Sequence, residues 1–213
     1  GHAQPSTFHV EYGIPGGSLA STAGHNFGVT RGPTHVTAAL GRLRPNTTYQ
    51  ARVVVANPTD TATGSLLLFT TGPPADRITR MRLQPKVMVP ASRGGTVRPA
   101  RAPGALVSYT GTQPASTTFT VEHAVQGRRQ GRNCVRRNRG NRSAKPCTLL
   151  VKVGSFRHKD PVGRVRFRFT GRIRHHPLAP GNYRLDAEPR SAGGIGRTVH
   201  KNFSVKAARK KRG

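Results

Sequence analysis

Apolar and polar side chains alternate with a period of two along much of this chain, and that pattern restricts it to extended strands. Arg164-Val165-Arg166-Phe167-Arg168-Phe169 is the clearest run. In a strand, Val165, Phe167 and Phe169 line one face and the three arginines line the other. Phe8, Val10 and Tyr12 alternate with Thr7, His9 and Glu11, and Phe119 and Val121 alternate with Thr118, Thr120 and Glu122. The same rhythm recurs at Tyr49, Ala51, Val53 and Val55, and at Tyr183, Leu185 and Ala187. No window sustains a helical period. With 25 Gly and 17 Pro to supply turns, an all-β fold of short strands follows. The 213 residues suffice for one or two domains, each with a modest core, because hydrophobic residues make up only 34%.

Charge divides the chain in two. Residues 1–72 hold four Arg against two acids, a net of +2, whereas residues 73–213 hold 32 basic against five acidic residues, a net of +27. The junction, Thr70-Thr71-Gly72-Pro73-Pro74, ends a strand, and residues 73–77 read as a stiff Pro-rich linker. A total charge of +29 predicts attraction to polyanions such as anionic cell-wall or other extracellular polymers, nucleic acid or acidic lipid surfaces. The excess of Arg (28) over Lys (8) also fits GC-rich coding, in which case part of the charge is compositional. No run approaches the roughly 18 apolar residues of a membrane span. The start at Gly1 without Met points to upstream domains of the same polypeptide, and no signal peptide is visible.

The two parts echo each other. Thr7-Phe8-His9-Val10-Glu11-Tyr12 matches Thr118-Phe119-Thr120-Val121-Glu122-His123, and Leu43-Arg44-Pro45-Asn46-Thr47-Thr48-Tyr49 matches Leu178-Ala179-Pro180-Gly181-Asn182-Tyr183. In each case a Pro turn delivers a tyrosine to the start of a strand. This is the layout of a tyrosine corner, with Tyr49 and Tyr183 bonding back to nearby backbone. Phe8 to Gly13, Leu43 to Asn57 and Leu68-Phe69-Thr70-Thr71 together resemble the second half of a bacterial fibronectin type III module. Seven residues before Phe8 cannot hold the two strands that such a module places first. Residues 78–206 resemble the C-terminal β-sandwich repeats of exported actinobacterial proteins, through Cys134 to Cys147, Val153-Gly154-Ser155-Phe156 and Leu178 to Tyr183. The resemblance implies two immunoglobulin-like, fibronectin type III-like sandwiches in tandem. The first spans 1–72 and lacks its first two strands. The second spans 78–206 and carries a Cys-flanked basic insertion at 128–147. A basic tail follows at 207–213. Location outside the cell is implied with the architecture.

Cys134 and Cys147 are the chain's two cysteines. An isolated pair without metal-type spacing favours a disulfide in an oxidising compartment; the alternative is two free thiols in a loose insertion. Around them lie Arg128, Arg129, Arg132, Arg136, Arg137, Arg139, Arg142 and Lys145, with no acid between 128 and 147. These eight, the ladder Arg164, Arg166 and Arg168, and the tail Arg209-Lys210-Lys211-Arg212 are the candidate anion-binding groups. Counterion release would make their affinity strongly salt-dependent. Sequence-specific nucleic-acid recognition is not expected, since no helix-turn-helix or finger motif is present and aromatics are few among the arginines.

Enzymatic chemistry finds no foothold. There is no G-x-S-x-G elbow, H-E-x-x-H motif, phosphate loop or dinucleotide fingerprint, and the seven acids are scattered. His175-His176 precedes Pro177, but no further ligands complete a metal set, and no cofactor is implied. The reading is a non-catalytic extracellular module, a spacer with a basic surface. The alternative is an accessory region of a polysaccharide-degrading enzyme whose catalytic domain lies upstream.

Overall fold

The computed structural model describes residues 5–29, 32–100 and 104–207. The tail cations Arg209, Lys210, Lys211 and Arg212 therefore lie outside the described residues. The chain divides into two compact units, Gly1–Pro74 and Ala75–Gly213. Among the described residues all regular structure is β, as the alternation predicts.

The first unit contains β1 (Ser6–Gly13), β2 (Ala20–Ser21), β3 (His25–Gly28), β4 (Thr48–Ala56), β5 (Thr61–Thr63) and β6 (Leu67–Thr70). They form one sheet. β1 and β4 pair antiparallel at its centre, from Thr7↔Ala56 to Gly13↔Gln50. β2 and β3 pair with β1, and β5 and β6 pair with β4. Among the described residues no second sheet faces this one, and the stretch 32–47 holds no strand. The period-two pattern leads one to expect Phe8, Val10, Tyr49 and Val53 to lie uncovered without a facing sheet. That is corrected for Phe8 and Tyr49, which are 5% and 6% exposed. Neighbouring rings cover them: His25 and Phe27 pack on Phe8 at 5.3 and 6.0 Å, and Phe69 stacks on Tyr49 at 5.8 Å. Leu67 and Leu68 remain 71% and 68% exposed.

The second unit is a two-sheet sandwich. Its strands are β7 (Thr79–Gln84), β8 (Val87–Met88), β9 (Val97–Arg98), β10 (Ala105–Gly111), β11 (Ala115–Gln130), β12 (Asn133–Arg136), β13 (Pro146–Asp160), β14 (Gly163–Phe169), β15 (Arg172–Ile173), β16 (His176–Pro177), β17 (Gly181–Ser191), β18 (Gly194–Ile195) and β19 (Val199–Val205). One sheet has the order β7-β10-β14-β9. The larger sheet runs β12-β11-β17-β19-β8, with β13 also on β11 and β18 on β17; β15 and β16 form a small ribbon. This Greek-key division of strands is that of immunoglobulin-like and fibronectin type III-like sandwiches. The inner rows meet as the alternation requires. Phe167 and Phe169 from the four-stranded sheet reach Phe119 and Phe156 from the larger one, at 5.2 Å for Phe119–Phe167 and 5.5 Å for Phe156–Phe169. Each such buried side chain contributes about 1.5–3 kcal/mol.

The internal echo has a structural basis. β1 and β11 are the equivalent strands, and β4 and β17 are their equivalent partners. Their registers differ by two residues. Phe8 lies opposite Val55, six residues after Tyr49, while Phe119 lies opposite Ala187, four after Tyr183. Both tyrosines close corners. The Arg44 N–H donates to the Tyr49 hydroxyl (2.9 Å), and the Tyr183 hydroxyl donates to the Ala179 carbonyl (2.8 Å).

One expected boundary moves. The stretch 73–77 is not linker throughout, because Asp76 is buried at 1% exposure within the second unit. Its carboxylate accepts from the Thr112 and Gln113 N–H groups (2.6 and 2.9 Å), and its own N–H donates to the Ser191 hydroxyl. The Cys-flanked stretch 128–147 grows out of the larger sheet. β11 runs on to Gln130, β12 spans Asn133–Arg136 and β13 begins at Pro146, so both ends of the stretch belong to the sheet and residues 137–145 form its tip.

Candidate anion-binding surfaces

The finger is built by three strands and one bridge. β11 pairs with β12 from Gly127↔Arg136 to Gln130↔Asn133, while β13 joins β11 through Gly127↔Cys147 and Arg128↔Pro146. Cys134 and Cys147 form a disulfide with Cα atoms 6.0 Å apart. The bridge passes over Gly127, where a Cβ would stand 2.7 Å from Cys134 Sγ and 2.7 Å from the Val135 carbonyl oxygen. Only glycine fits beneath it. The tip is tied by two asparagines: the Asn138 N–H donates to Asn141 Oδ1 (2.8 Å), the Asn141 N–H donates to Asn138 Oδ1 (3.0 Å), and Asn141 Nδ2 donates to the Arg136 carbonyl (2.9 Å). These side chains hold the backbone of a loop whose cations repel one another. Sequence reasoning missed Gly127, Asn138 and Asn141, although Asn138-Arg139-Gly140-Asn141 carries a turn signature.

Arg129, Arg132, Arg136, Arg137, Arg139, Arg142 and Lys145 are exposed, and Arg128 is half-buried. None forms an ion pair among the described residues. Three guanidinium groups instead cap backbone carbonyls of the finger: Arg128 to Arg142 (3.2 Å), Arg129 to Arg132 (3.3 Å) and Arg142 to Arg139 (3.4 Å).

The predicted ladder does not join the finger. β14 belongs to the four-stranded sheet, and Arg164 follows the turn at the far end of β13 from the finger. Fifteen strand residues separate the two ends, roughly 45 Å of extended chain. Arg164 and Arg166 are exposed, as the alternation predicts. Arg168 is half-buried and engaged: Nε donates to the Ala100 carbonyl and an NH group to the Gly104 carbonyl, both at 2.8 Å. It is a clamp on a loop, which corrects its reading as a free anion ligand.

The acids of the second unit are sorted. Glu122, Asp186 and Glu188 point outward from the larger sheet, where Arg184 pairs with Glu122 (2.8 Å) and Asp186 (2.9 Å). A groove of about 540 Å³ on that sheet is lined by Leu150, Asn182, Arg184, His200 and Asn202 among others. Asp76 and Asp160 are buried at 1% and 6% exposure. Asp160 accepts from the Tyr109 hydroxyl (2.7 Å) and the Thr117 hydroxyl (2.5 Å) and contacts His158 Nδ1 (2.5 Å). Burial first, and the hydrogen bond to Asp160 second, raise the Tyr109 phenol far above its ordinary range. Burial raises Tyr183 as well. The Asp160 cluster has hydroxyl, imidazole and carboxylate in contact, but its carboxylate is already engaged by three partners inside the sandwich. Its chemistry here is to pin β10, β11 and β13 together.

Among the described residues no group of three or more His, Cys, Asp or Glu side chains could hold a metal ion. His175 is exposed in the β15–β16 turn and His176 is exposed at the start of β16. No described helix is long and apolar enough to cross a membrane.

No family model matches the chain, and no curated protein sequence matches it. Among solved structures, the FN1-FN3 domains of chicken CNTN1 are similar over 93% of this chain and 54% of that one, at 11% identity and a TM-score of 0.33. This chain thus spans about half the length of that structure. A superposition at that score carries no functional argument, and the fibronectin type III-like assignment rests on the strand order of the second unit.

Proposed function

We propose that this chain is a non-catalytic, exported interaction module whose second unit grips anionic extracellular polymer through its basic finger. The observation that carries the reading is the disulfide-closed hairpin itself. Eight cations stand on a covalently fixed scaffold without a neutralising acid among them. A disulfide supports a setting outside the reducing cytosol. Ordering like charges costs free energy, and a polyanion offsets that cost by releasing its condensed counterions on contact. Three finger arginines are braced against carbonyls, so their guanidinium planes are ordered before binding.

The test is a salt titration of full-length chain against a teichoic-acid-like polymer and a neutral glycan. Log affinity for the anionic polymer is expected to fall linearly with log salt. Replacing Arg136, Arg137, Arg139 and Arg142 by Ser is expected to flatten that slope by about 3, at roughly 0.7–0.9 per lost contact. Equal binding to the neutral glycan, or an unchanged slope in the variant, refutes the proposal.

A further inference from the structure

The finger carries the cations of the proposed site, and its tip is also a run of peptide bonds that the sheet does not hold. Among the described residues of the second unit, two stretches of eight or more residues lie outside strands: 89–96 and 137–145. The first is tied to the sandwich along its length. Arg172 donates to the carbonyls of Ala91 (3.0 Å), Ser92 (3.0 Å) and Gly94 (3.1 Å), and the Thr170 hydroxyl donates to that of Gly95 (2.8 Å). The single basic residue there, Arg93, sits inside that clamp. Lys86, Arg132, Arg174 and Arg197 occupy connections of two or three residues between strands. Arg77 stands between Asp76 and Ile78, both buried.

The finger tip is held differently. Its bonds run between its own two sides: Asn138 with Asn141, Asn141 Nδ2 to the Arg136 carbonyl, and Arg142 Nε to the Arg139 carbonyl at 3.4 Å. The backbone N–H groups of Arg139 and Gly140 have no partner among the described residues. Arg137, Asn138, Arg139 and Gly140 are exposed, and a Cβ on Gly140 would meet only Asn138 Oδ1, at 3.6 Å. Opening the tip therefore breaks the bonds of its asparagines and no rung of the ladder. Both ends of the tip are fixed. Arg136 and Cys147 are each in register with Gly127, and the disulfide joins Cys134 to Cys147 across the base. Exposed loop tips of this kind are where proteolytic nicking concentrates.

We infer that the Arg139–Gly140 bond is a cleavage site for an arginine-directed endoprotease, and that the disulfide keeps the product one covalent molecule whose finger grips polyanion less well. The inference rests on the polyanion reading above and adds its regulation. The acidic side-chain pocket of such a protease takes the Arg139 guanidinium, which no described acid pairs, and Gly140 sets no side chain against the enzyme. Lys145 is excluded because Pro146 follows it, with a ring in place of the amide N–H. Hydrolysis adds one water across the C–N bond and leaves a carboxylate on Arg139 and an amino group on Gly140. Residues 1–139 and 140–213 then stay joined by Cys134–Cys147 and by the β11–β13 ladder, which runs from Ala115↔Asp160 to Arg128↔Pro146. The order of the tip is lost. The Asn138–Asn141, Asn141–Arg136 and Arg142–Arg139 bonds all cross the cut, so like charges that they hold near one another separate. The new Arg139 carboxylate is the first acid between 128 and 147, and it stands among the arginines that a polyanion would neutralise.

The experiment treats full-length chain with a trace of trypsin, follows the products on denaturing gels with and without reductant, and then measures binding to a teichoic-acid-like polymer. Within residues 75–213, the fragment whose N-terminal sequence starts at Gly140 is expected to form first and to separate only on reduction. In C134S/C147S the same fragment is expected to separate without reductant. Arg139→Gln is expected not to yield it and, treated with trypsin alongside, to keep its own binding, which controls for cuts elsewhere. Nicked wild type is expected to bind the polymer about fivefold more weakly, with a log–log salt slope lower by about 1, and with unchanged circular dichroism. A first cut elsewhere in 75–213, or a Gly140 fragment that leaves wild type without reductant, overturns the site. Loss of binding in treated R139Q overturns the choice of bond. Nicked wild type that binds as tightly as intact chain overturns the regulation while leaving the polyanion reading standing. Intact chain that binds no polyanion at low salt overturns that reading, and with it the loss on cleavage, whatever trypsin cuts.

Discussion

Asp160→Ala is expected to be the most damaging single substitution of a polar residue in the second unit. The carboxylate is buried at the end of β13 and receives the Tyr109 and Thr117 hydroxyls, from β10 and β11 respectively. Tyr109 is 2% exposed and Thr117 fully buried, so neither hydroxyl has water to turn to. An unsatisfied buried polar group costs about 1–3 kcal/mol, and two of them cost about 2–6 kcal/mol. His158 is partly exposed and recovers solvent, so it adds little. A central value near 4 kcal/mol, divided by a urea m-value of about 2 kcal/mol per molar, shifts the unfolding midpoint by about 2 M. Thr117→Val removes one donor and leaves the acceptor with its other partners, and is expected to cost about 1 kcal/mol. The assay is urea denaturation of full-length chain, followed by near-ultraviolet circular dichroism, with the midpoint compared at constant m. A shift below about 0.5 M for Asp160→Ala, or one no larger than that of Thr117→Val, refutes the account of this cluster as a structural pin.

Alkaline pH provides a related measurement. Tyr109 and Tyr183 hold their protons in the folded state above the ordinary phenol value of about 10, so the unfolded chain releases them first. The stability they contribute is complete below about pH 10 and is lost as pH rises beyond it, and phenolate absorbance is expected to show Tyr109 ionising later in the folded chain than a free phenol. Gly127→Ala is expected to cost about 1–3 kcal/mol, because its Cβ meets both Cys134 Sγ and a carbonyl oxygen at 2.7 Å; normal stability with a fully formed disulfide would refute that contact. Expressed separately, residues 75–213 are expected to unfold cooperatively, while residues 1–74 are expected to be marginal. Among the described residues, three buried hydrophobic side chains, Phe8, Tyr49 and Val54, stand against a cluster of 19 in the second unit. A sharp, soluble thermal transition in the shorter fragment would count against this.

The sandwich of the second unit was legible wherever one face of a strand is buried and the other wet. Val165, Phe167 and Phe169 are 3%, 2% and 0% exposed while Arg164 and Arg166 point outward, because a one-residue slip would exchange every one of them. The tyrosine corners were legible for a different reason. A Pro turn leading into Tyr49 or Tyr183 is local in sequence, and the bond it makes spans only four or five residues. Long-range contacts had no such signature. Asp76 reads as one polar residue in a Pro-rich stretch, and its burial depends on Thr112, Gln113 and Ser191, which approach only once the sheets close. The covering of Phe8 by His25 and Phe27 is invisible for the same reason.

The candidate anion-binding residues of the finger and of β14 lie on different faces of the second unit. Charge summed along a sequence says nothing about which sheet carries it, and here strand order decides. β13 and β14 are consecutive and joined by a tight turn, yet they belong to opposite sheets, so the finger and the β14 arginines occupy different faces. Register then separates arginines that the alternation makes equivalent. Arg166, opposite Ser108, is free, while Arg168, opposite Arg98, turns to the carbonyls of Ala100 and Gly104. The same register brings in Arg82, whose strand alternates Arg80-Met81-Arg82-Leu83 in plain view but whose place in a cationic row appears only when β7 is set beside β10. Sorting the few acids of the second unit, two into the interior and three onto the larger sheet, leaves the four-stranded face with no internal counter-charge. A basic protein becomes one with a directed basic face through the placement of five carboxylates as much as through its cations.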